Sequence, residues 1–93
     1  MSDWLNTPLT AALGCRYPIV QTAMGWVADA NLVIDTTRAG GFGFLAGATI
    51  AASELEGEIR KVIDATGGSN FGLNFHMFQD NAAQCVDLAI EYR

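Results

Sequence analysis

Residues 29–46 read DANLVIDTTRAGGFGFLA, and this stretch decides the architecture. Asp29 is a helix N-cap type standing ahead of Leu32, Val33, Ile34 and Ala39, whose spacing predicts a helix of about three turns that stops at Gly40-Gly41. Phe42-Gly43-Phe44-Leu45-Ala46 follows as an unbroken apolar run, the pattern of a strand buried on both faces of a parallel sheet. A helix that passes through two glycines into a buried strand is half of a βαβ unit, and the same alternation continues on either side.

Upstream, Leu9 to Leu13 with Gly14 reads as a short helical turn closed by a C-terminal glycine. Tyr17 to Thr22 is a β-branched run entered through Pro18, where a strand tolerates a missing N–H, and is the first predicted strand. Downstream, Ser53-Glu54-Leu55-Glu56 fits a capping box ahead of a helix whose apolar face is Leu55, Ile59, Val62 and Ile63. Thr66-Gly67-Gly68-Ser69 ends that helix, and Phe71-Gly72-Leu73-Asn74-Phe75 alternates large side chains as a third strand. Asp80-Asn81 stands as the cap of a last helix carrying Ala82, Cys85, Val86, Ala89 and Ile90. The order is βαβαβα with short connections, which demands parallel strands joined by crossovers. Three such strands leave two free edges, and a closed (β/α)8 barrel takes about 250 residues. The expected class is therefore α/β, with residues 1–93 forming the N-terminal portion of a TIM-barrel domain.

Composition bounds the function. The 93 residues are 51% apolar and only 16% charged, far from the polar signature of disorder. The net charge of −5, with Arg16, Arg38, Arg60, Lys61 and Arg93 as the cations, leaves no basic stripe for a phosphate backbone, so nucleic acid is excluded as an expected partner. Met1-Ser2-Asp3-Trp4 lacks the basic start of a secretory signal, and the apolar run Phe42 to Ala52 is too short and glycine-rich to span a bilayer. A soluble, cytoplasmic chain with no membrane partner is expected. Cys15 and Cys85 form no CxxC pair and have no histidine at metal-ligand spacing, which points to idle or buried thiols rather than a redox or zinc site.

In a barrel or an open α/β sheet, ligands bind at the carboxyl ends of the strands, which selects the loops Ala23 to Ala28, Gly47 to Ala52 and His76 to Asp80. In the first loop the small residues let a flat ligand approach the backbone. Met24 and Trp26 either offer that ligand a polarizable surface or simply fill the barrel mouth. Gly41 to Ala46 matches GxGxxA, but a dinucleotide fingerprint follows a strand and opens a helix, whereas these glycines follow a helix and enter a strand. Asn74 stands in an apolar strand, where a buried amide must meet either a ligand or a backbone group. His76 lies just beyond, at the functional end of the same strand, with no paired acid in sequence to make it a proton-transfer residue.

Taken together, Tyr17 to Val27, Ala39 to Leu45, and Phe71 to Phe75 resemble the start of the nitronate monooxygenase family, formerly the 2-nitropropane dioxygenases. The likeness covers Thr7 to Phe75. It implies a TIM barrel that binds FMN non-covalently at the carboxyl ends of its strands and oxidises alkyl nitronates with dioxygen. By position, Thr22, Ala23, Met24 and Gly25 would be cofactor-binding, their backbone lying against the flavin ring, and Asn74 would contact the flavin from the third strand. Many family members carry alanine-proline-methionine after the glutamine. Here Thr22-Ala23-Met24 precedes Gly25-Trp26, which is closer to NAD(P)H-dependent flavin oxidoreductases of the same superfamily that act on acyl-CoA intermediates of steroid breakdown. Enoyl-acyl carrier protein reductases of the flavin type share the fold.

The family's catalytic histidine lies well beyond the third strand, and its phosphate loops come from late strands, so no catalytic residue is assigned among these 93. One wall of a flavin site without a phosphate clamp implies a chain that is inactive by itself. The expected partners are a small-molecule substrate, nitronate or acyl-CoA, and a second copy in a homo-oligomer. The non-enzymatic alternative is a small α/β assembly module that pairs its free sheet edges with another chain.

Overall fold

A computed structural model describes residues 5–76, 79 and 81–92. A short helix α1 (Pro8–Leu13) leads into three strand–helix pairs: β1 (Val20–Gln21) with α2 (Ala30–Arg38), β2 (Phe42–Ala46) with α3 (Ala52–Thr66), and β3 (Gly72–Asn74) with α4 (Ala82–Glu91). A single 3₁₀ turn, Gly47–Thr49, joins β2 to α3. The strands pair in parallel in the order β1-β2-β3, with Val20 opposite Phe42, Phe44 opposite Gly72 and Ala46 opposite Asn74.

Local chemistry explains most of the boundaries. Thr7 caps α1 by accepting from Thr10 N–H, Thr10 returns the bond to Thr7 N–H, and Gly14 closes the helix in the left-handed conformation. Asp29 caps α2 as its residue type implies, accepting from Leu32 N–H at 3.2 Å. Two expected caps are not formed. The helix α3 begins at Ala52, one residue before Ser53, with Ala51 at its N-cap and no side-chain bond there. Glu56 does not reach back to Ser53 because its carboxylate is held by Arg60 and by the Tyr92 hydroxyl, at 2.9 and 2.6 Å. At α4, Asn81 occupies the cap position, but its Oδ1 accepts from Gln79 Nε2 instead of a helical N–H. Its expected companion Asp80 lies outside the described residues.

One core lies between the sheet and its helices. Leu45 of β2 is fully buried at the centre of a cluster drawn from Ala30, Val33 and Ile34 of α2, Leu55, Ile59 and Val62 of α3, and Cys85 and Leu88 of α4. All three crossover helices therefore cover the same face, the mode in which consecutive units build a barrel rather than a doubly wound sheet. The buried stripe of α4 is Ala82, Cys85 and Leu88. Ala89 and Ile90, assigned inward by the 3.6 period, are exposed, and so is Ala39 at the end of α2.

On the other face of the sheet, Phe44 lies over Gly72, where a Cβ would come within 2.3 Å of the ring. That contact accounts for a glycine inside a strand. Both cysteines are free thiols, Cys85 buried and Cys15 half-buried.

Leu45→Ala is expected to cost 2–5 kcal/mol, since it opens a cavity shared by three helices, as a urea melt of both chains would measure. The Glu56, Arg60 and Tyr92 network sets a pH window. The Tyr92 hydroxyl, then Arg60, hold Glu56 below its ordinary value, while the bond to Glu56 holds Tyr92 above its own. A depressed carboxylate contributes stability that is lost as pH falls through its folded value, and a raised phenol contributes stability that is lost as pH rises through its folded value. Stability profiles of wild type and Tyr92→Phe should therefore converge at both acid and alkaline ends and separate between them, by an amount kept small by solvent exposure.

Candidate functional site

The β1–α2 loop, Thr22 to Asp29, leaves the carboxyl end of the sheet as an irregular excursion. Met24 O accepts from both Val27 and Ala28 N–H, at 3.0 and 2.8 Å, which folds the loop into a tight turn. Trp26 N–H donates to Thr49 Oγ1 at 3.0 Å, and that hydroxyl in turn donates to Ala46 O. Thr49 thus ties the first loop to the 3₁₀ turn after β2. A second tie is Ala46 N–H to Ala28 O at 2.9 Å. Gly25 packs directly on Thr49, where a Cβ would stand 3.2 Å from Cγ2.

Within this frame the N–H groups of Ala23, Met24 and Gly25 have no hydrogen-bond acceptor among the described residues. Backbone donors left open on a braced loop are the feature a ligand with carbonyl or anionic edges needs, because an unpaired donor costs free energy once it is covered. Trp26 adds a second unusual feature. Its φ is +60°, a left-handed conformation that disfavours a bulky side chain, and the indole is 89% exposed. The fold holds this ring out at the sheet's carboxyl edge with Met24 and Val27, both also exposed.

Of the expected site residues, Thr22, Ala23, Met24 and Gly25 fall together on this loop, and Asn74 ends β3 on the same carboxyl edge, across Ala46 of β2. The premise that Asn74 is a buried amide is corrected: the residue is exposed, because it points away from the helix-covered face to which Leu73 turns. His76 is exposed two residues later, its backbone N–H donating to Gln79 Oε1 at 2.7 Å. Gly41 to Ala46 does run from helix to strand, so its glycines do not form a phosphate-binding turn.

Beside the loop is a cleft of about 210 Å³ lined by Trp26, Asp29, Thr49, Glu54 and Glu58 among others, with no cation among the described residues of its lining. Two of its carboxylates serve α2, Asp29 as the cap and Glu58 by accepting from Ala30 N–H at 3.4 Å. Sequence reading missed Thr49, whose role exists only through contacts across chain-distant loops. It also missed Gln21, a polar residue in an apolar strand, which was a signal open to the argument applied to Asn74. No helix among the described residues is long and apolar enough to cross a membrane.

A parallel sheet with its helices on one face and an open, braced first loop defines an α/β chain of the TIM-barrel class. The family model for nitronate monooxygenase matches residues 6–92, and the chain belongs to that family, one of oxidoreductases. It is 46% identical over 86 residues to a protein of Mycobacterium tuberculosis named (3aS,4S,5R,7aS)-5-hydroxy-7a-methyl-1-oxo-octahydro-1H-indene-4-carboxyl-CoA dehydrogenase, covering 92% of this chain and 24% of the relative. A protein of the same name from Rhodococcus jostii is 44% identical over the same span. A probable nitronate monooxygenase of Staphylococcus haemolyticus is 37% identical over 71 residues, 76% of this chain and 20% of that one. Among solved structures, FabK from Thermotoga maritima superposes with a TM-score of 0.84 at 26% identity, covering 92% of this chain and 27% of FabK. The chain thus spans about a quarter of the length of the relatives it matches.

Replacing Trp26 by glycine should raise stability by about 0.5–1 kcal/mol, the relief of left-handed strain less the extra freedom of the unfolded chain. A thermal melt reads the sign: a lower midpoint would mean that the exposed indole has a packing role.

Proposed function

We propose that the Thr22 to Gly25 loop and Asn74 form one wall of an FMN site, and that residues 1–93 correspond to the N-terminal portion of an FMN-dependent, cytoplasmic oxidoreductase barrel. The observation that carries this reading is the row of N–H groups at Ala23, Met24 and Gly25, without an acceptor among the described residues, on a loop pinned at Trp26 and Ala28. Small side chains at Ala23 and Gly25 suit the close approach of a flat ring, and the exposed Asn74 carboxamide offers both a donor and an acceptor along the same edge. Bound here, FMN would supply two-electron redox chemistry at its ring. The backbone N–H groups would donate to acceptor atoms on the ring edge and stabilise negative charge there, while Thr49 keeps the loop from relaxing away. The acidic lining of the neighbouring cleft is unsuited to a phosphate, so the FMN phosphate would be held by groups other than these.

For the substrate, an acyl-CoA thioester bearing a fused-ring acid is the reading we favour. It is supported by the Thr22-Ala23-Met24-Gly25-Trp26 sequence and by the identity to two proteins named as octahydro-indene-carboxyl-CoA dehydrogenases. Trp26 would present a flat apolar surface to such a ring system. Oxidation of an alkyl nitronate with dioxygen is the second reading, supported by the family match and by the staphylococcal relative.

Titration of the isotope-labelled 93-residue chain with FMN tests the cofactor reading. The backbone amide signals of Ala23, Met24 and Gly25 and the side-chain amide of Asn74 should move together along one binding curve, while those of α3 stay in place. A titration that leaves the three loop amides unmoved, or moves only signals on the helix-covered face, would sink it.

A further inference from the structure

Gln21 is the last residue of β1, and its side chain bonds to the backbone where the next rung would form. Phe42 N–H donates to Ile19 O at 3.0 Å, which sets the rungs of the β1–β2 ladder. A parallel ladder repeats every two residues along both strands. Carried one step past Gln21, it would have Ala23 N–H donating to Phe44 O and Ala23 O accepting from Ala46 N–H. Both places on β2 are already taken. Gln21 Nε2 donates to Phe44 O at 3.0 Å and to Thr22 O at 2.6 Å, and Ala46 N–H donates to Ala28 O. The chain between, residues 23–27, is thereby kept out of the sheet.

The carboxamide is itself held in place. Thr36 Oγ1 donates to Gln21 Oε1 at 3.4 Å, and Gly43 gives the group its room. A Cβ at position 43 would stand 2.7 Å from Gln21 Oε1 and 3.2 Å from Val33 Cγ1. The second glycine of the GxGxxA run therefore answers to a side chain on the neighbouring strand, not to a phosphate.

We propose that Gln21, seated over Gly43, is a positioning residue that ends β1 and keeps Ala23 N–H, the donor that opens the Ala23 to Gly25 loop, available to a ring ligand. The inference rests on the FMN reading for the identity of that ligand, but its geometric content does not depend on flavin. Without the carboxamide, Phe44 O loses its donor and Ala23 N–H is the nearest replacement in the ladder, so that amide would be drawn into the sheet and away from the ligand.

The test is site-resolved amide hydrogen exchange in the 93-residue chain, with Gln21→Met, which keeps the length of the side chain and removes its donor, and with Thr36→Val, which frees Oε1 and leaves the strand untouched. The Ala23 amide should exchange as an open site in the wild type, become at least tenfold slower in Gln21→Met, and shift in the same direction by less in Thr36→Val. FMN affinity measured on the same samples should fall at least tenfold in Gln21→Met. Unchanged Ala23 exchange in both variants overturns the proposal. So does lost flavin affinity without slower exchange, which would make Gln21 a direct contact or a purely structural residue. If the wild type binds no FMN, the cofactor reading falls, while slower exchange at Ala23 in Gln21→Met still upholds the strand-ending role.

Discussion

The structure depends on one constraint: three parallel strands in sequential order, each returning through a helix on the same face. With the three crossover helices on one side, Leu45 of the central strand becomes the point at which α2, α3 and α4 meet, and the main apolar cluster assembles around it. The opposite face carries Val20, Phe42, Phe44, Gly72 and Asn74 and receives no crossover helix. This asymmetry also sends every strand-to-helix loop to one edge, which is why residues chosen for their place after a strand come together there.

At that edge, backbone hydrogen bonds are withheld rather than made. The sheet could have been longer at β1, since β2 runs five residues and offers further partners. Two polar contacts prevent it: the Gln21 carboxamide on Phe44 O and Ala28 O on Ala46 N–H. A buried ladder satisfies its own donors and has nothing left for a ligand. The interrupted ladder leaves Ala23 N–H, the donor of its next rung, open, and beside it the backbone of Trp26 lies in the left-handed region. Strain and open donors thus fall on one loop, which is the observation behind the proposed ligand wall.

Much of the fold was legible in the chain because its signals are local. Phe42 to Ala46 is a strand over the span its apolar run implies, Asp29 caps α2, and Leu55, Ile59 and Val62 form the buried stripe of α3. The misreadings share one cause. Ser53 and Glu56 have the spacing of a capping box, yet Glu56 is claimed by Tyr92 from α4, thirty-six residues away in sequence. On α4, period alone chose Ala89 and Ile90, while the direction of Leu45 selected Leu88. For the proposed site, the position of the loop after a strand was readable, but the contacts of Thr49, Gln21 and Gly43 were not, since each meets a residue more than twenty positions distant.

By itself the sequence determined the alternation of elements, the class, the family likeness and which loops leave the carboxyl ends of the strands, because periodicity, caps and glycine breaks act over a few residues. Tertiary structure alone decided which donors on the first of those loops are open, that Asn74 faces away from the core, and where β1 stops. Those outcomes depend on competition for particular carbonyl and N–H groups between segments that meet only when the sheet forms.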